Sequence, residues 1–282
     1  LRIKKLDMDF LLTEEHEMIR QAVRDFAKNE LLPGVIERDN KQEFPKEQIK
    51  QLGELGFMGM MASPEYGGGG MDTVAYVIAM EELSKVDASA SVVVSVNNSL
   101  VCWGLDTYGS KEQKEKYLPK LATGEWAACY CLTEPDAGSD ANSGKTKAVL
   151  SEDGKHYKIT GQKMWISNAG FADLFIVFAK IEDDKNLTAF IVEKSFGGIS
   201  MGEEEKKLGI KGSSTRQVFF NDCEVPVQNM LSERQNGFKI AVNILNIGRV
   251  KLGAGVLGGC RTVTSQAIQY ANERKQFGTS IS

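Results

Sequence analysis

The stretch Cys129-Tyr130-Cys131-Leu132-Thr133-Glu134-Pro135-Asp136-Ala137-Gly138-Ser139-Asp140 is an apolar run that stops abruptly in hydroxyls, carboxylates, a proline and a glycine. That pattern predicts a strand ending in a polar, kinked loop. The loop offers backbone N–H groups and the hydroxyls of Thr133 and Ser139, while Gly138 allows a ligand to approach the backbone closely. Such a surface suits a flat, acceptor-rich ring system with a phosphate tail. An ordinary strand-to-turn junction has the same composition, so these residues alone leave both readings open.

A second stretch, Gly161-Gln162-Lys163-Met164-Trp165-Ile166-Ser167-Asn168-Ala169-Gly170, shifts the balance. Trp165 and Ser167 alternate with Met164 and Ile166, so on a regular strand the indole and the hydroxyl share one face. An indole covers one side of a planar ring while a neighbouring hydroxyl bonds its edge. Together the two stretches resemble the acyl-CoA dehydrogenase family of flavoproteins. Its first signature is matched across Cys131-Leu132-Thr133-Glu134, Ala137-Gly138-Ser139-Asp140 and Ser143. The resemblance runs from about Asp9 to Ser282. In Gly197-Gly198-Ile199, in Glu204–Lys211 and in Ile244–Arg249 it points to the very-long-chain branch.

Composition sets the outer bounds. A chain of 282 residues with 42% hydrophobic and 26% charged residues is globular in character and long enough for two or three domains. A net charge of −4 without long blocks of one sign argues against nucleic acid as a partner. Five cysteines without a CxxC pair indicate reduced thiols in a cytosolic or, in a eukaryote, mitochondrial-matrix compartment. Cys129 and Cys131 read as small core residues. His16 and His156 are too far apart in sequence to suggest a metal site, and no Gly-x-Ser-x-Gly elbow is present. Met8 reads as a native start, with residues 1–7 an added or trimmed segment. Ala88–Leu105 is the most apolar window, but Asn97, Asn98 and several serines make it a buried helix, so no transmembrane segment is expected.

The periodicity changes twice. Helices are predicted over 13–32, with Met18, Ile19, Ala22, Val23, Phe26 and Ala27 as the inward stripe, and then after Pro45, Asp72, Asp87 and Ser110. The helix after Pro45 would present Ile49, Leu52 and Leu55 on one face, and the helix after Asp72 would turn Val74, Val77, Ile78 and Leu83 inward. Gly67–Gly70 form a loop without the ending of a phosphate-binding P-loop. Strands are expected at 127–132, 145–150, 156–160, 162–167, 173–180, 187–193 and 216–221, as an antiparallel barrel or sandwich. Helices return over Phe238–Ile247 and Arg249–Lys275. This gives an α+β chain of three parts: a helical domain over 1–125, a β-domain over 126–235 and the start of a helical bundle over 236–282. That order is the acyl-CoA dehydrogenase fold with a shortened third part, which predicts a C-terminally truncated protein.

The resemblance assigns roles residue by residue. FAD would be held by Tyr130, Leu132, Thr133, Gly138, Ser139, Trp165 and Ser167, and, from across a subunit interface, by Arg274, Gln276 and Phe277. Ser139, Asn246 and Arg249 would contact the acyl-CoA. The resemblance further implies α,β-dehydrogenation of fatty acyl-CoA thioesters in β-oxidation, a long-chain substrate, electron-transfer flavoprotein as acceptor and a homodimer or homotetramer. One family position for the catalytic carboxylate is Gly248 here, and the other falls beyond Ser282, so no catalytic residue is assigned and the chain is expected to be inactive or nearly so. Glu134 reads as a loop-ordering carboxylate rather than a base. An acyl-CoA oxidase and a non-catalytic flavin- or acyl-CoA-binding protein are the rival functions.

Overall fold

The computed structural model describes residues 11–282, so the expectations about Met8 and residues 1–7 lie outside the described residues. The described residues open with seven α-helices. In α1 (Glu14–Phe26), Thr13 accepts from the His16 backbone while the His16 ring accepts from the Thr13 backbone. Ile19, Val23, Phe26 and Ala27 turn inward, whereas Met18 and Ala22 of the expected stripe are exposed, because the buried face is narrower than the apolar one. A helix not foreseen, α2 (Val35–Lys41), starts after Gly34, whose φ of 75° lets the chain turn before it. In α3 (Lys46–Glu54), Ile49 and Leu52 are buried, but Leu55 caps the helix and faces solvent. In α4 (Thr73–Ser84), the Asp72 carboxylate accepts from the Ala75 backbone at 2.8 Å; Ile78 and Leu83 point inward as expected, and Val74 does not.

Asp87 caps α5 (Ala88–Ser95), which continues through a π-helical stretch, Val96–Cys102, into α6 (Trp103–Tyr108). This is the buried apolar helix. Its two asparagines are accommodated because their amides donate to carbonyls left free by irregular backbone: Asn97 to Met58 and Leu121, Asn98 to Phe57 and Val94. The last helix of this set, α7 (Lys111–Ala122), opens on the expected Ser110–Gln113 capping box.

Eight strands follow: β1 (Ala128–Cys131), β2 (Lys147–Leu150), β3 (His156–Ser167), β4 (Leu174–Ile181), β5 (Thr188–Glu193), β6 (Ile199–Met201), β7 (Thr215–Pro226) and β8 (Met230–Leu231). They form one sheet in the order β6-β7-β3-β2-β4-β5-β8, with β1 also pairing β4. The expectation of purely antiparallel pairing is corrected: β1 and β2 both run parallel to β4. Alternation reports which faces are buried, not the direction of the neighbouring strand. Segments 156–160 and 162–167 are one strand with a register shift at Gly161, where a side chain would collide with Thr146. The glycine marks a close approach of strands and not a break.

A single helix, α8 (Gly237–Glu273), replaces the two expected, since Gly248 lies within it. A small hairpin of β9 (Lys275–Gln276) and β10 (Thr279–Ser280) ends the chain. One apolar core joins all three kinds of element: Cys102, Leu105 and Leu118 from the helices, Leu174, Ile176 and Phe178 from β4, and Ile240, Ala241 and Ile244 from α8. A second core lies among the N-terminal helices, and a third, holding Cys129 and Cys131, lies on the other face of the sheet. All five cysteines are free thiols, with Cys260 exposed. By length and composition, two helical runs could cross a membrane, Ala88–Tyr108 and Gly237–Glu273. The first is 78% buried within the fold, as a core helix is; the second is 22% buried.

Candidate functional site

The end of β1, the end of β3 and the face of α8 meet around a cavity of about 330 Å³. Tyr130, Leu132, Thr133, Gly138 and Ser139 line it from one side and Trp165, Ile166 and Ser167 from another. Val96 and Leu100 of the π-helical stretch and Leu245 and Arg249 of α8 close the third side. The structure thus brings together every residue singled out in the two quoted stretches, together with Arg249. Asn246 is exposed and not part of the lining; its side-chain oxygen accepts from the Arg249 guanidinium at 2.8 Å. Arg274, Gln276 and Phe277 are not brought to the cavity; they are exposed in and beside the terminal hairpin.

Trp165 is placed by an irregularity. The pairing of β3 with β7 shifts register between Lys163 and Ile166, and Trp165 itself has φ of 57°. A bulky residue in that conformation costs about 1–3 kcal/mol and persists only where its surroundings over-determine it. The bulge breaks the expected strict alternation, so Trp165, Ile166 and Ser167 all reach the cavity. Trp165 remains 60% exposed, which removes the ordinary core role for this tryptophan. The Met164 N–H donates to the Thr133 carbonyl at 2.9 Å, tying the bulge to the loop after β1.

Beneath this junction lies a group that sequence analysis quoted but did not assign. Lys163 is fully buried, and its ammonium donates to Glu134 Oε1 at 2.7 Å, to the Phe178 carbonyl at 2.6 Å and to the Leu132 carbonyl at 3.2 Å. Glu134 also accepts from the backbone N–H groups of Lys145 and Thr146. Burial pushes the Glu134 carboxyl up, but the Lys163 charge and these donors outweigh it and hold the carboxyl below its usual range. Burial lowers Lys163, offset only in part by Glu134. Glu134 is therefore the loop-ordering carboxylate expected, committed to a lysine rather than free to take a proton. The signal for Lys163 was a cation at a core-facing position of an alternating strand. Asn168, also missed, donates to the Ala128 carbonyl at 3.1 Å and so fixes β1 to the end of β3.

The polar groups facing the cavity have a pattern of their own. Among the described residues, the hydroxyls of Thr133, Ser139 and Ser167 have no hydrogen-bond partner within the protein. Tyr130 donates to the Ala241 carbonyl at 3.2 Å, and burial pushes its phenol well above the ordinary range. A side chain on Gly138 would meet only open space, so a ligand can lie against the backbone there. The lining has hydroxyls, an exposed indole and one guanidinium, but no carboxylate. It can hold a flat ring with acceptor edges and an anionic group near Arg249. The described residues contain no cluster of His, Cys, Asp or Glu able to hold a metal ion.

Sequence models of the acyl-CoA dehydrogenase N-terminal, middle and C-terminal domains match residues 13–125, 129–223 and 235–282. The chain belongs to the acyl-CoA dehydrogenase family. It is 46% identical over 277 residues to the short-chain specific acyl-CoA dehydrogenase of Clostridium acetobutylicum, covering 97% of this chain and 73% of that one. It superposes with a TM-score of 0.92 and 44% identity on the acyl-CoA dehydrogenase of Bacillus anthracis solved with FAD, covering 96% of this chain and 47% of that one. A chain from the structural work on the electron transferring flavoprotein of Acidaminococcus fermentans gives a TM-score of 0.93 at 41% identity, covering 97% and 72%. The expectation of the very-long-chain branch is corrected by the short-chain name of the Clostridium relative.

Proposed function

We propose that this chain binds FAD and a fatty acyl-CoA thioester in the cavity and serves α,β-dehydrogenation of the acyl group. The observation that carries this is the convergence of Tyr130–Thr133, Gly138–Ser139 and Trp165–Ser167 on one space, with three unpartnered hydroxyls and an exposed indole facing it. These residues fit a flavin: the indole covers a ring face, and the Thr133 and Ser167 hydroxyls reach ring-edge acceptors. Gly138 and Ser139 suit the phosphate side. A bound flavin supplies the hydride acceptor for the β-hydrogen. The chain's own residues position and enclose the reactants. Arg249, oriented by Asn246, neutralises the anionic CoA portion, and Val96, Leu100 and Leu245 exclude water from the acyl carbons.

A carboxylate to remove the α-proton is absent from the lining, and Gly248, whose missing side chain would meet Leu100, supplies none. We therefore infer slow or no turnover by these residues alone, so an acyl-CoA-binding flavoprotein is the second reading. The Clostridium relative's name supports short acyl groups as substrates. Electron-transfer flavoprotein is the proposed acceptor, supported by the Acidaminococcus match. The exposed Arg274, Gln276 and Phe277 suit the flavin diphosphate of a second subunit, which favours a homodimer or homotetramer. Domain limits of 1–125, 126–235 and 236–282 and a cytosolic or matrix-like compartment complete the proposal; the free thiols support the latter.

The test is the visible spectrum of the purified chain after loading with FAD. Resolved flavin bands that shift when butyryl-CoA is added are the expected result. Protein that retains no flavin, at any concentration and with Trp165 quenching unchanged, would overturn the proposal.

A further inference from the structure

Lys251 lies on α8 three residues beyond Gly248, so both belong to the face that packs on α5. It lines a second cavity, of about 160 Å³, with Ser84, Ser91 and Ser95 from α4 and α5. This space follows the first along the same pair of helices: Val96 and Arg249 line the first, and their near neighbours Ser95 and Lys251 line the second. The Lys251 ammonium has one polar partner, the Ser95 hydroxyl, and no ion pair is formed with it among the described residues. Burial alone pulls its pKa down to about 8, with no charged neighbour opposing the shift. The contrast with Lys163, which has a carboxylate and two carbonyls, is direct.

Lys251 is half-buried, and a cation partly withdrawn from water without a counter-charge favours the arrival of an anion. Of the three serines around it, Ser95 and Ser91 donate to the Val92 and Met80 carbonyls, and the Ser84 hydroxyl is left to donate to the same group. Val92, Leu252 and Val256 of the remaining lining are apolar and suit a short methylene chain, and the two spaces adjoin at the consecutive residues Ser95 and Val96. We propose that Lys251 is a specificity residue that binds a terminal carboxylate on the acyl group, so that the preferred ligands are thioesters of short dicarboxylic acids with one end joined to CoA. This rests on the acyl-CoA reading above and refines its substrate class. An apolar acyl chain of the same length leaves Lys251 uncompensated, and a long one has to displace it.

The test is calorimetric binding to the FAD-loaded chain of matched pairs: glutaryl-CoA against butyryl-CoA, and adipoyl-CoA against hexanoyl-CoA. The carboxylated member of at least one pair should bind about tenfold more tightly, the size of one charge-assisted hydrogen bond. Lys251→Met should abolish that difference while leaving affinity for the plain member unchanged or improved, and Lys251→Arg should keep it. Melting temperatures of both variants verify that the fold is intact. Equal affinities within each pair, or a preference that survives Lys251→Met, would overturn the lysine site while acyl-CoA binding itself sustained the proposed function. Failure of all four thioesters to bind would overturn both.

Discussion

Beneath the strand side of the first cavity, Lys163 is fully buried and meets one carboxylate and two carbonyls; at the second cavity, on α8, Lys251 meets one hydroxyl. The two lysines serve different ends. The strand wall is a closed network: Lys163 and Glu134 hold the loop after β1 against β3, the Met164–Thr133 bond adds a second tie, and every charge is answered within the protein. The helix wall is open. Small residues let α8 approach α4, Gly248 sits against Leu100, and Lys251 lacks an anion. A prebuilt wall suits a resident cofactor of fixed shape, whereas an incomplete wall suits a ligand that varies between relatives.

The sharpest way to break this contrast is to remove one half of the strand-side pair. Lys163→Met should lower unfolding free energy by about 3–5 kcal/mol in urea titration, because Glu134 stays buried without its partner. Adding Glu134→Leu should restore part of the loss; a double variant as unstable as the sum of the singles would show that the pair is not coupled. The helix side should respond to volume instead of charge. A side chain on Gly258 would run into the Glu81 carbonyl of α4, so Gly258→Val should cost about 1–3 kcal/mol in the same assay without weakening FAD affinity.

Acid should affect the strand wall selectively. The folded Glu134 carboxyl lies below its unfolded value, so its stabilisation is complete above about pH 4.3 and is lost as pH falls through the depressed value. Stability measured between about pH 5 and pH 3 should therefore decline less steeply in Glu134→Gln than in the parent chain. The smallest effect on stability belongs to Trp165. Its ring is 60% exposed and glycine relieves the strain of its positive φ, which offsets the lost ring contacts, so Trp165→Gly should not lower unfolding free energy by more than about 0.5 kcal/mol. Fluorescence titration should nevertheless show FAD affinity falling about tenfold. A large loss of stability would make Trp165 a structural residue and undo its assignment to the flavin face.

Much of the helical part was legible because its signals are local. Asp72, Asp87 and the Ser110–Gln113 box cap the helices they were expected to cap, since a cap bonds groups within three residues of itself. The Cys129–Asp140 and Gly161–Gly170 stretches were legible as the lining of a common cavity because their hydroxyls, glycine and indole are poor choices for a packed sheet end. Strand direction was not legible: β1 and β2 run parallel to β4 because chain segments between them cross the fold, and nothing in a four-residue strand encodes its neighbour's direction. Nor was the continuity of α8, where glycines that penalise an isolated helix are repaid by close contact with α4.

The sequence by itself determined the family, the helix–sheet–helix order and the two stretches that line the first cavity, because these rest on short-range pattern and on side-chain chemistry unsuited to a core. Only the tertiary structure decided that Lys163 answers Glu134 across 29 residues, that a bulge turns Trp165 outward, and that Lys251 stands without a counter-charge. Each of these depends on which distant groups the fold brings together, and a charge acquires its meaning there from its neighbours and not from its place in the chain.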